Sequence, residues 1–201
     1  MTQTIEEIRQ DERLTTEIAH LFPKQGEWTE ADYFRLPETN KIIELSEGRL
    51  IISPSPTDQH QKISGNLYFM LRTHVRTNNL GEIRYAPMDV RLWKGKVRQP
   101  DIAFMSKEHL DRITKKIWGI PDLVVEILSE GTAETDKENK YLEYQRAGVS
   151  EYWIVDPFKQ VIEIYTLENG IYKNFGKLGA GEIANSKLLD GFEVSIDDVI
   201  I

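Results

Sequence analysis

A mixed α/β (α+β) fold, one central β-sheet flanked by helices, is what this sequence predicts, on three observations. The central signals run helix, strand, strand, strand, helix, strand, an order that packs helices against a mixed sheet. Ile63, Leu67, Met70, Leu71 and Val75 recur at three- and four-residue steps and draw one apolar stripe along a helix. Leu123-Val124-Val125-Glu126-Ile127-Leu128 is a nearly continuous aliphatic run, the pattern of a strand covered on both faces.

In chain order, residues 1–25 are polar with loose helical spacing of Ile5, Ile8, Ile18 and Leu21, and read as an N-terminal helical extension. Residues 26–201 read as a single domain. Thr29 followed by Asp32 predicts a capped helix over 30–36, stopped by Pro37. Strands over 41–45 and 49–52 are joined by Ser46-Glu47-Gly48, a hairpin signal. Ser53-Pro54-Ser55-Pro56 breaks the pattern, and Thr57 or Asp58 caps the striped helix, which ends near Asn78-Asn79. Strands are predicted over 82–93 and 97–105, a helical connection over 107–117, and a strand over 122–128. A helix over 135–147 closes on Gly148, where left-handed geometry is favoured. A strand over 152–155 follows, then a hairpin of 161–167 and 171–175 around Asn169-Gly170. A strand and a turn of helix over 192–201 finish the chain.

Composition narrows the chemistry. The chain has 201 residues and no cysteine, so disulfides and thiolate metal sites are excluded. No apolar stretch is long enough to span a bilayer, and the acidic start lacks the pattern of a signal peptide; a cytoplasmic location without membrane contact is expected. The net charge of −8 argues against nonspecific nucleic-acid affinity over the whole surface. Between Lys62 and Arg98, however, eight cations face two anions, a net of +6. That block reads either as a phosphate-facing surface or as a solvated basic helix and hairpin. No cluster of aromatics suited to stacking bases is legible on one face.

Glu126 is the most informative residue, because a carboxylate in a buried aliphatic strand is costly unless a cation, a metal or several donors meet it. Asp101 opens a similar run, Pro100-Asp101-Ile102-Ala103-Phe104. Two carboxylates on neighbouring strands, with a lysine on the following helix, suit metal-assisted phosphodiester hydrolysis. Mg2+ (or Mn2+) takes oxygen ligands, so Asp101, Glu126 and the backbone carbonyl of Ile127 are the candidate metal ligands. Lys140 is the candidate to assist the attacking water, with Lys137 as the alternative; Asp136, Lys140 and Tyr144 share a helix face. Each has a plainer reading: Asp101 as a turn carboxylate, Glu126 as the partner of a buried arginine, Lys140 as an exposed ion pair with Asp136. Glu44 is a further metal ligand or a solvent-facing strand residue. His60 is placed to orient a phosphate or water or is an ordinary surface histidine, and Gln61 beside it is a weaker candidate.

Pro100-Asp101, Glu126 in its strand, Asp136…Lys140…Tyr144…Gly148-Val149 and Glu151-Tyr152-Trp153-Ile154-Val155-Asp156-Pro157 together resemble the Uma-type family of "putative restriction endonucleases" in the PD-(D/E)XK phosphodiesterase superfamily. Tyr33-Phe34, Glu44…Glu47-Gly48-Arg49-Leu50 and Ser55-Pro56…His60-Gln61…Ile63 extend the resemblance from Thr29 to the C-terminus. It implies a restriction-endonuclease-like core with Asp101 and Glu126 as the motif carboxylates. The superfamily's lysine stands two residues after the glutamate; Leu128 fills that place here, and the resemblance moves the lysine to Lys140. DNA is the substrate this implies. The rival reading is a catalytically silent, homodimeric binding or regulatory module on the same fold.

Overall fold

The computed structural model of the chain describes residues 22–37, 41–129 and 133–200 and, within 133–137, the backbone only. The extension expected over 1–25 therefore lies mostly outside the described residues. Thr29 caps the short helix α1 (Glu30–Tyr33): its hydroxyl accepts from the Asp32 N–H at 3.2 Å, and Asp32 accepts from the Thr29 N–H at 3.1 Å. The helix stops earlier than the 30–36 expected, because a residue before proline, here Leu36, is biased away from helical geometry.

Strands β1 (Ile42–Ser46) and β2 (Arg49–Ser53) form the expected hairpin, with Glu47 and Gly48 at φ 48° and 75°. Helix α2 (Asp58–Thr77) follows, its start fixed by Thr57, whose hydroxyl accepts from the His60 N–H. Each of the next two expected strands is in fact two. The first divides into β3 (Gly81–Tyr85) and β4 (Val90–Trp93), interrupted at Pro87; the second into β5 (Lys96–Arg98) and β6 (Ile102–Ser106), interrupted at Pro100. Proline has no N–H to give a ladder, so at each break the chain leaves one sheet for another.

The connection expected to be helical over 107–117 is a 3₁₀ turn, Lys107–Arg112. Beyond it the Thr114 hydroxyl bonds both the N–H and the carbonyl of Ile117, a local alternative to helix. The remaining elements are β7 (Leu123–Ile127), α3 (Ala133–Ala147), β8 (Glu151–Asp156), β9 (Val161–Glu168), β10 (Ile171–Leu178), β11 (Ile183–Asn185), β12 (Glu193–Ser195) and α4 (Ile196–Ile200). Strand β11 had no counterpart in the sequence reading.

Six strands build the central sheet in the order β10-β9-β8-β7-β6-β3; only β7 and β8 run parallel. Residues alternate between its two faces. Ile102, Phe104, Leu123, Val125 and Trp153 pack with Ile63, Leu67, Leu71 and Val75 of α2. Ala103, Val124, Tyr152 and Ile154 pack on the other face with Tyr144 of α3 and with Val90, Leu92 and Trp118. A second sheet, β2-β1-β5-β4, lies on that second side. No helix among the described residues is long and apolar enough to cross a membrane.

Candidate active site

Glu126 obeys the strand's two-residue period. It shares a face with Val124, so its side chain enters the layer occupied by α3, where Lys140 and Tyr144 stand one turn apart. The Lys140 ammonium donates to Glu126 Oε2 at 2.7 Å, and the Tyr144 hydroxyl donates to Oε1 at 2.6 Å. Lys140 thus pairs with the strand carboxylate, its side chain 19% exposed. The side chains of Asp136 and Lys137 lie outside the described residues.

Asp101 sits in the three-residue passage from β5 to β6. Its Oδ2 accepts from the Ile127 N–H at 2.7 Å, which pins the carboxylate beside the peptide that follows Glu126. The two acids therefore meet at the ends of adjacent strands in the interior of the sheet order. His60, in the first turn of α2, brings Nε2 to 3.3 Å from Asp101 Oδ2. Its Nδ1 is buried with no hydrogen-bond partner among the described residues.

Glu44 projects from β1 into the same region. Arg98 Nη1 donates to its Oε2 at 2.8 Å, the Gln99 N–H donates to its Oε1 at 2.9 Å, and Lys140 lies 3.9 Å away. A buried arginine does serve a carboxylate here, but that carboxylate is Glu44 and not Glu126. Glu44, His60, Gln99, Asp101, Glu126 and Lys140 line one pocket of about 350 Å³ together with residues 53–57 and Leu128. Gln61 is exposed and takes no part in that lining.

Arg98 and Glu143 escaped the sequence reading as parts of this assembly. The guanidinium also reaches Glu143 of α3 through Nε at 2.7 Å and Nη2 at 2.9 Å, and Lys96 reaches the same carboxylate at 2.8 Å. One buried fork thus joins β1, β5 and α3. The basic block from Lys62 to Arg98 is in consequence not one surface: Lys96 and Arg98 are internal, and Arg91 pairs with Glu30 at 2.9 Å.

The charges are balanced unequally. Burial raises the pKa of Glu126 to about 7; Lys140 works against that, and the nearby Asp101 and Glu44 charges add to it. Burial also works against the Lys140 ammonium, but Glu126 and Glu44 outweigh it and hold the amine protonated. For His60 burial is likewise outweighed, by Asp101, Glu126 and the Ile127 backbone, and its pKa is raised. Burial would raise Glu44 and Glu143, yet Lys140 and Arg98 for the first, and Arg98 and Lys96 for the second, bring both below the ordinary value of 4.5.

These shifts have opposite consequences for stability. Glu44 and Glu143 bind protons less readily folded than unfolded, so their contribution is complete above pH 4.5 and is lost as pH falls through their folded values. Glu126 holds a proton that the unfolded chain has released, so its contribution is complete below 4.5 and is lost as pH rises toward 7. In chelator, urea midpoints are therefore expected to fall at the acid end, and to fall again between pH 4.5 and 7. Glu126→Gln should remove the second decline and leave the first; an unchanged profile would contradict the assignment.

The donor chemistry fits a hard divalent cation: two carboxylates and a backbone carbonyl oxygen, with no sulfur. The excess of buried negative charge is what such an ion relieves, and here Lys140 and His60 stand against it. The ligands are not preassembled, since both Glu126 oxygens are engaged, and no group of three or more acidic or imidazole side chains among the described residues is arranged to hold a metal.

The chain is thus a mixed α/β protein, a sheet between helices with Asp101 and Glu126 together at adjacent strand ends and Lys140 on the neighbouring helix. The chain belongs to the Uma2 family, described as "Putative restriction endonuclease", whose model matches residues 30–197. The fold is similar to the crystal structure of a putative nuclease from Anabaena variabilis ATCC 29413, with a TM-score of 0.72 at 21% identity, over 86% of this chain and 97% of that one. No protein of curated function matches the chain.

Proposed function

We propose that the chain is a divalent-metal-dependent endonuclease that hydrolyses phosphodiester bonds in DNA, with Asp101, Glu126 and the Ile127 carbonyl holding Mg2+ or Mn2+. The observation that carries this reading is the meeting of Asp101 and Glu126 at adjacent strand ends in a pocket, with a buried ammonium on Glu126. A bound divalent ion would supply charge neutralisation at the phosphoryl group and a water of lowered pKa. The chain's own groups do the rest. Tyr144 and the Ile127 N–H hold the two carboxylates side by side, and Lys140 would yield its Glu126 oxygen to a bound ion. Lys140, held protonated, orients the attacking water and offsets charge on the phosphate. Glu44 keeps that ammonium toward the pocket, and His60 orients a phosphate oxygen or water beside Asp101.

Supercoiled plasmid should be nicked or linearised with Mg2+ or Mn2+ and left intact in chelator. Asp101→Ala should leave only background. Equal cleavage by the parent and Asp101→Ala would mean a contaminant and would end the proposal. The engagement of both Glu126 oxygens favours a second reading, a silent homodimeric binding or regulatory module; absence of divalent-ion binding in calorimetry, with a dimeric mass in solution, would select it.

A further inference from the structure

Outside the pocket, at the same end of the sheet, two tyrosines from separate elements meet. Tyr85 ends β3, opposite Ile102 of β6, and the next N–H, of Ala86, donates to the Asp101 carbonyl at 3.0 Å. Tyr85 is therefore one strand away from Asp101 along the ladder, with its ring on the face that carries α2. Its partner, Tyr68, lies two four-residue steps beyond His60 on α2, about 12 Å along the helix. The two rings pack edge to face with centroids 4.6 Å apart, yet Tyr85 remains 56% exposed. Among the described residues no strand pairs with the outer edge of β3.

Arg72, one turn further along α2, donates to the Tyr68 hydroxyl at 3.0 Å and lies over the same ring at 5.8 Å. Arg76 follows at the next step, and both arginines are exposed. On β3 the acid alternates away: Glu82 projects to the opposite face and pairs there with Arg84 at 2.7 Å. An exposed ring face beside guanidinium groups is complementary to a base and its phosphate. Within a duplex a paired base has both faces covered by its neighbours, so away from the duplex ends only an unpaired base can use the ring.

Resting on the nuclease reading above, we propose that Tyr85, braced by the Tyr68 that carries Arg72, is a ledge for a single-stranded stretch of the substrate DNA, one base stacking on the Tyr85 ring while the adjoining strand enters the pocket past His60. The substrate class this assigns is DNA with an unpaired segment at or next to the cut.

Anisotropy of a labelled single-stranded oligonucleotide and of its duplex, measured with the full chain in chelator, tests the ledge without cleavage. The single strand should bind more tightly than the duplex. Tyr85→Leu should weaken single-strand binding by about tenfold, Tyr85→Trp should preserve it, and duplex binding should not change. Equal single-strand affinity for the parent and Tyr85→Leu, or an equal loss for the duplex, overturns the ledge. The outcomes separate from those of the cleavage assay. Mg2+-dependent cutting with an indifferent Tyr85 removes the ledge alone, whereas ring-dependent binding without cutting keeps the ledge and removes the hydrolytic role.

Discussion

Glu126→Gln is expected to lower Mg2+-dependent DNA cleavage by about 10²–10³-fold, the scale on which one preorganised charge-stabilising group acts. The amide is close to isosteric and its oxygen can still accept from the Tyr144 hydroxyl. Its NH2 would face the Lys140 ammonium, donor against donor, where the carboxylate now accepts at 2.7 Å. The variant removes the charge of the candidate ligand; apart from that donor clash, which Glu126→Gln/Lys140→Met relieves, it should cost little stability near pH 7, because the fold favours the neutral side chain there. The double variant should recover no cleavage. A plasmid assay paired with urea unfolding reads both quantities. Cleavage by the single variant within about threefold of the parent would remove Glu126 from the chemistry.

Arg98→Ala should be the most damaging single change to the fold. The guanidinium is 4% exposed and satisfies Glu44 with one nitrogen and Glu143 with two. Truncation takes the guanidinium from both carboxylates, leaving Glu44 to the Gln99 N–H and the more distant Lys140 and Glu143 to Lys96, a loss of about 3–5 kcal/mol. For a domain of this size that corresponds to a fall of roughly 10 °C in Tm. Arg98→Lys should recover only part of it, because an ammonium cannot serve two carboxylates with a planar fork. Scanning calorimetry decides the matter: a shift within about 2 °C for Arg98→Ala would show that the network contributes little.

The striped helix, the Glu47-Gly48 and Asn169-Gly170 turns and the buried β7 strand were legible from local signals, because each rests on spacing or on a backbone preference written in neighbouring residues. The division of the strands at Pro87 and Pro100 was signalled by the prolines themselves, but apolar alternation on either side of them masked it. Asp101, Glu126 and Lys140 were singled out because a carboxylate in an aliphatic run is anomalous wherever it folds. Arg98 carries no such mark. Its partners lie 54 and 45 residues away, and a guanidinium in a basic block looks the same whether it is solvated or internal. The Tyr68–Tyr85 pair was missed for the same reason, since neither residue forms a local cluster.

The passage Gln99-Pro100-Asp101 ties the two sheets together within three residues, Gln99 binding Glu44 on one and Asp101 binding Ile127 on the other. Such a tie has a fixed gauge. Adding or deleting one residue there would turn either Arg98 or Asp101 out of position, because strand side chains reverse direction at every step. Anyone splitting this chain, permuting its ends or grafting a reporter into it should leave that crossing intact and cut instead at Asn169-Gly170, whose hairpin reaches neither acid.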